Sequence, residues 1–124
     1  PQPGTLMDAL LVTGFPYDAP ERVDEIVGLF GAFVGRARAV RRLGSAAIDL
    51  CYVAAGRLDG FWESDLKAWD IAGGALIVSE AGGTVTGLQG ETFVSRGGSV
   101  LASNGHLHEA MLDVIRACPE RRGL

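Results

Sequence analysis

Cysteine is scarce, basic residues are outnumbered and no apolar run is long, and each shortage removes a class of explanation. Two cysteines in 124 residues, Cys51 inside an apolar run and Cys118 near the end, make neither a disulfide framework nor a metal-ligand spacing, which fits a reduced, cytoplasmic setting. A thiol embedded among apolar neighbours is also a poor nucleophile. No stretch reaches the roughly 18 apolar residues of a membrane-spanning helix, and the first residues lack the charged region, apolar region and cleavage site of a secretory leader. With 11 basic against 15 acidic residues and a net charge of −4, there is no basic footprint for nucleic acid. Neither nucleic acid nor a membrane is therefore expected as a partner; a small molecule or a protein is. No Gly-x-Ser-x-Gly nucleophile elbow occurs, since Gly44-Ser45-Ala46 departs from it. Internal repeats and low-complexity tracts, beyond the glycines, are absent too.

What is present suits one domain. The length allows one real core and is too short for two independent ones, and 48% hydrophobic with 21% charged residues is globular composition. Residues 9 to 15 form a short apolar run that ends at Gly14 and the Phe15-Pro16 step, a buried strand leading into a loop. Asp18 and Glu21, three apart with Pro20 between them, predict a helix start, and Val23, Ile26, Val27, Phe30 and Phe33 predict its apolar face. A short strand is expected within 36 to 43. Ser45 then caps a helix that Gly56 stops, largely buried, with Asp49 as the only charge from Ile48 to Ala55 and expected at a polar edge. A strand through Leu58 to Trp62, a loop at Ser64-Asp65 and a helix from near Asp70 to Gly82-Gly83 follow. Thr84 to Thr86 and Ser99 to Ala102 read as strands, and Asn104-Gly105 turns the chain into a last helix faced by Leu107, Met111, Leu112 and Ile115. This alternation predicts a layered α/β unit with a mixed sheet.

The most specific pattern is Trp69-Asp70-Ile71-Ala72-Gly73-Gly74, running through an apolar stretch to Glu80-Ala81-Gly82-Gly83. Gly44-Ser45-Ala46-Ala47 and the run from Val53 to Glu63, with Gly56-Arg57-Leu58-Asp59-Gly60 at its centre, precede it. Leu10 to Pro16 opens the chain and Ala102-Ser103-Asn104-Gly105 comes near its close. In this order and spacing the segments resemble the second half of the inositol monophosphatase family, over nearly the whole chain. The resemblance implies the C-terminal part of the inositol monophosphatase-like sugar phosphatase fold as a single domain over residues 1–124. The family's upstream glutamate and Asp-Pro-x-Asp-Gly-Thr loop have no counterpart, and Asp59-Gly60 lacks both the preceding Asp-Pro and the following Thr. The N-terminal metal-binding half is thus expected to lie outside these residues.

The resemblance also implies roles. Asp70 would be a magnesium ligand, although an Asp before a helix also makes a good cap. Glu63 would bind substrate, a carboxylate being able to accept bonds from two neighbouring hydroxyls. Gly44, Ser45 and Ala46 would line the substrate pocket at a helix start, where free N–H groups favour anionic or hydroxyl-rich ligands. The function implied is magnesium-dependent hydrolysis of inositol monophosphate to inositol and phosphate, in a homo-oligomer, with this chain inactive on its own. Fructose bisphosphate, histidinol phosphate or a phosphoadenosine nucleotide are alternative substrates, and a non-catalytic binding or assembly module is the alternative function. His106 and His108 read as surface residues near a helix start, since side chains two apart on a helix do not face one another. Arg41 and Arg42 read as solvated strand-end charges able to attract phosphate.

Overall fold

Leu11 and Val12, neighbours in sequence, belong to opposite cores, and that alternation builds the molecule. The computed structural model describes residues 4–14, 21–93 and 97–118. The expected Phe15-Pro16 step and the Asp18 and Pro20 helix-start signals lie outside the described residues. In chain order the elements are β1 (Leu10–Thr13), α1 (Val23–Val34), β2 (Ala39–Arg41), α2 (Ala46–Ala54), β3 (Gly60–Lys67), α3 (Ala68–Glu80), β4 (Thr84–Thr86), β5 (Gly97–Ser103) and α4 (His108–Ala117). They form a sheet of order β2-β1-β3-β5-β4. β1 runs parallel to β2 and β3, while β5 is antiparallel to β3 and β4. The sheet is mixed, as the pattern predicts.

Side chains of a strand point alternately to its two faces, so each strand feeds two clusters. Leu11, Trp62 and Leu101 pack with Leu29 and Phe33 of α1 and with Met111, Leu112 and Ile115 of α4. Val12, Phe61, Val100 and Ala102 pack instead with Leu50 and Val53 of α2 and with Ile71 and Val78 of α3. Helices therefore cover both faces. Two glycines let helices pack closely: a Cβ on Gly74 would lie 2.7 Å from Leu50 Cβ, where α3 meets α2, and one on Gly60 would lie 2.6 Å from Met111 Sδ.

Three expectations are corrected. Val23 and Val27 are 51% and 57% exposed; Phe33 is buried as expected, with Ile26 and Phe30 half-buried, but the expected face leaves out Leu29, which is buried beside Phe33, so the stripe is rotated by part of a turn. The loop expected at Ser64-Asp65 is a register shift inside β3, between Glu63 and Leu66, because pairing with β5 carries the strand on to Lys67 and absorbs the turn-forming residues as an irregularity. α2 is not largely buried: Ile48 is half exposed and Cys51 is exposed, so this thiol is not enclosed as its neighbours suggest. The stops at Ser45 and Gly56 do hold. Ser45 Oγ accepts from Ile48 N–H at 3.3 Å, and Gly56 takes φ +78° where the Arg57 N–H returns to Tyr52 O.

Candidate functional site

β1, β2 and β3 run in the same direction, so their carboxyl ends share one edge of the sheet. From β1 the chain passes through α1, against one core, to β2, and from β2 through α2, against the other core, to β3. Such a divergence leaves a crevice at the carboxyl ends, where open α/β sheets bind ligands. The residues singled out in the sequence fall on this edge. Gly44 and Ser45 join β2 to α2, which Ala46 begins; Glu63 lies in β3 just beyond its parallel pairing with β1; and Asp70 lies in the first turn of α3, which follows β3 directly.

Glu63 is 8% exposed. Its carboxylate lies against Gly14 at the end of β1, so closely that a Cβ on Gly14 would overlap it. Beside Glu63 a small cleft opens to solvent, bounded by Thr13, Gly14, Glu25, Ile26, Trp62 and Ser64. Thr13 Oγ1 donates to Trp62 O at 2.6 Å and ties the ends of β1 and β3 together. Burial pushes the Glu63 carboxyl up to about 7, with the negative charges of Asp49 and Asp70 adding to the rise and Arg42 opposing it.

Asp70 occupies the third position of α3 rather than preceding it. Its Oδ2 accepts from Lys67 N–H at 3.1 Å, satisfying one of the free donors at the helix start. The cap reading and the ligand reading of this residue are therefore compatible, because one carboxylate oxygen caps and the other remains. Gly44 takes φ +91° and is exposed, while Ser45 and Ala46 are half-buried. The Ser45 hydroxyl is engaged as the cap of α2.

The structure adds Asp49, which the sequence placed at a polar edge. It is 1% exposed, and its Oδ1 has no hydrogen-bond partner among the described residues. Burial raises its carboxyl to about 6. The signal was its standing as the only charge in an apolar helix, one turn after Ser45; what the sequence could not supply was the direction it faces. Arg42 is likewise nearer the site than a solvated strand end, since its charge reaches Glu63. Glu63, Asp70 and Asp49 thus share one electrostatic neighbourhood, with the start of α2 beside it. The two histidines separate: His106 is exposed, whereas His108 is 5% exposed and fully hydrogen-bonded, which corrects its reading as a surface residue.

Among the described residues no three His, Cys, Asp or Glu side chains gather where they could hold a metal ion, and no helix is long and apolar enough to cross a membrane. The sequence model of the inositol monophosphatase family matches residues 1–120. The chain is 47% identical over 112 residues to phosphatase IMPL1, chloroplastic, of Arabidopsis thaliana, covering 90% of itself and 30% of that protein. It is 42% identical over 113 residues to Nus factor SuhB of Haemophilus influenzae, covering 91% of itself and 42% of that protein. The fold superposes on the structure of inositol monophosphatase from Anabaena (Nostoc) sp. PCC 7120 with a TM-score of 0.91 and 38% identity, over 97% of this chain and 48% of that one. The chain belongs to the inositol monophosphatase family, and it spans less than half the length of these relatives.

Proposed function

We propose that this member of the inositol monophosphatase family forms part of a magnesium-dependent phosphomonoesterase that hydrolyses inositol monophosphate to inositol and phosphate. The observation that carries the reading is the gathering of Glu63, Asp70 and the Gly44-Ser45-Ala46 turn at the carboxyl ends of β1, β2 and β3. The described residues do not make a magnesium site by themselves: one Asp70 oxygen caps α3, and no group of three ligating side chains forms among them. The other Asp70 oxygen fits a single ligand position of a hard cation, the remainder coming from outside this domain. When bound, magnesium supplies an activated water and stabilises charge on the leaving oxygen.

The chain's own residues bind and orient. Glu63 accepts hydrogen bonds from adjacent ring hydroxyls, its carboxylate lying against Gly14. Ser45 and Ala46, at the start of α2, present backbone N–H groups and the positive end of the helix dipole to a hydroxyl-rich, anionic ligand. Near neutral pH the Glu63 carboxyl is shared between its two protonation states, and its ionised form is the better acceptor for a polyol. Fructose bisphosphate, histidinol phosphate or a phosphoadenosine nucleotide would meet the same carboxyl-end edge and are the alternative substrates. In this reading residues 1–124 are one C-terminal domain of a cytoplasmic homo-oligomeric enzyme, and the chain alone is inactive. Phosphate release from inositol monophosphate by a full-length protein containing this chain, with and without magnesium, tests it; no metal-dependent release in that protein would overturn it.

A second reading, a non-catalytic binding or assembly module, is favoured by the exposed apolar residues Ile48, Trp69, Leu76 and Ile77 on α2 and α3. A relative named Nus factor SuhB is consistent with it. A full-length protein that assembles with a protein partner and keeps that ability in an Asp70→Asn variant, yet turns over no phosphate ester, would establish this reading instead.

A further inference from the structure

His108 begins α4 away from the carboxyl-end site, and its ring is held by hydroxyls from two different strands. His108 Nε2 lies 2.8 Å from Thr86 Oγ1 on β4, and Nδ1 lies 2.9 Å from Ser103 Oγ at the end of β5. His108 is 5% exposed and Ser103 0%. The remaining bonds decide which nitrogen carries the proton. Thr86 has one hydroxyl hydrogen, and it is donated to Gly87 O at 2.7 Å. With that hydrogen on Gly87 O, Thr86 Oγ1 faces the ring as an acceptor, which assigns the N–H to Nε2. In a neutral imidazole the other nitrogen is then a lone pair. Ser103 Oγ donates to that lone pair and accepts from Gly105 N–H at 3.0 Å. Every donor in the relay has one acceptor: Gly105 N–H to Ser103, Ser103 to Nδ1, Nε2–H to Thr86, and Thr86 to Gly87 O.

We propose that His108 is a proton-sensitive latch: as the neutral Nε2–H tautomer it fastens edge strand β4 and the end of β5 to the start of α4, and on protonation it releases that corner. A second ring proton would appear on Nδ1, opposite the Ser103 hydroxyl hydrogen. Ser103 would have to turn that hydrogen away into a site without solvent, leaving a buried donor unsatisfied and a buried cation in place of a neutral ring. β4 is three residues long and lies at the sheet edge, paired with β5 and, through Thr86, bridged to Thr92; the relay adds a side-chain tie from the same Thr86 to α4.

The charged surroundings agree. Burial lowers the His108 pKa from the ordinary histidine range, and Glu109, its neighbour on α4, opposes that shift. Glu109 is itself drawn toward Arg116, 3.8 Å away, which also approaches Asp113. Thr84, Val85 and Thr86 of β4 and the described residues of β5 bring no ionisable side chain to the ring. Glu91, in the turn after β4, is bound instead to Gln89 N–H. Because the folded pKa lies below the unfolded one, the latch contributes fully above the unfolded value near 6.5 and is lost as pH falls below it.

The test uses this chain, with His106 as an exposed internal reference. Nitrogen shifts of the two rings, followed from pH 8 to 5, should show His108 as the Nε2–H tautomer titrating below His106. Amide exchange at Gly105, corrected for intrinsic chemistry, should rise about tenfold for each unit of pH below the unfolded pKa until the folded ring titrates. His108→Gln, whose amide can still donate toward Thr86 and does not titrate, should remove that rise and flatten the acid-side fall of the urea midpoint relative to wild type. An Nδ1–H tautomer, a His108 that titrates with or above His106, or the same pH dependence in wild type and His108→Gln would overturn the proposal. The ring measurements decide it even if the variant does not fold.

Discussion

Asp49 and Glu63 bring two buried carboxyls to the same edge of the sheet, and both prefer to be protonated there. A carboxyl whose folded pKa is raised adds stability that is complete below its unfolded value and lost as pH rises through the folded one. For these two residues the window runs from about 4 up to about 7, opposite in sign to the His108 effect. Asp49→Asn keeps the volume and removes the charge. It should raise stability at pH 8 by on the order of 1 to 2 kcal/mol and change little at pH 4, as read from urea midpoints; an equal gain at both pH values would show that burial of the charge is not what Asp49 costs. If Asp70 ligates magnesium as proposed, Asp70→Asn in a full-length protein containing this chain should lower kcat by orders of magnitude. If Glu63 binds substrate hydroxyls as proposed, Glu63→Gln should act mainly on KM, since a ground-state contact would be weakened. Small and equal effects of both variants on both parameters would remove these residues from the site.

Among the helices, α2 and α3 pack most extensively against each other, and adjacent glycines of α3 separate packing from propensity. Gly74 faces Leu50, so Gly74→Ala should force the helices apart and destabilise by about 1 to 3 kcal/mol. Gly73 has nothing within 4 Å of where its Cβ would lie, and Gly73→Ala should stabilise by about 0.5 to 1 kcal/mol through helix propensity alone. Thermal unfolding of the two variants gives shifts of opposite sign if this packing is right, and like signs if it is not. The same elements show how far the sequence could be read. Ser45 and Gly56 bracket α2 because capping and left-handed stops are local chemistry, and α3 was announced by its small residues and by Asp70. Glu63 and Asp70 were recognised by their motif, and the fold then brought them to one edge. What could not be read depended on rotation and pairing. The inward side of α1 turned on Leu29 rather than Val27, β3 continued through Ser64 because β5 lay beside it, and the inward aim of Asp49 and His108 was set by neighbours distant in sequence.

At the scale of the whole molecule, apolar side chains point outward on both sides of the sheet, Val23, Val27 and Val34 of α1 among them. The cluster beneath α1 and α4 includes Trp62 stacked on Phe33 with ring centroids 4.2 Å apart. α2 and α3 cover the other face but turn further apolar side chains outward: Ile48 is 50% exposed, Ile77 47%, Leu76 62% and Trp69 80%. Scattered apolar residues are ordinary on a surface, but a run of them on two packed helices is the composition of a surface that associates. The purified chain should therefore self-associate and bind a hydrophobic dye. Leu76→Lys combined with Ile77→Glu should reduce both without unfolding it, since neither side chain belongs to the buried core. Light scattering against concentration checks the first effect and dye fluorescence the second. A sharp monomer peak at high concentration, with cooperative unfolding and no dye bound, would show that these residues are tolerated singly and that the domain needs no cover over α2 and α3. If instead association disappears in the double variant while the fold remains, the outer side of α2 and α3 is the surface through which this domain meets its neighbour. Asp70, in the first turn of α3, would then stand at the rim of that contact, placed to share a site with whatever packs there.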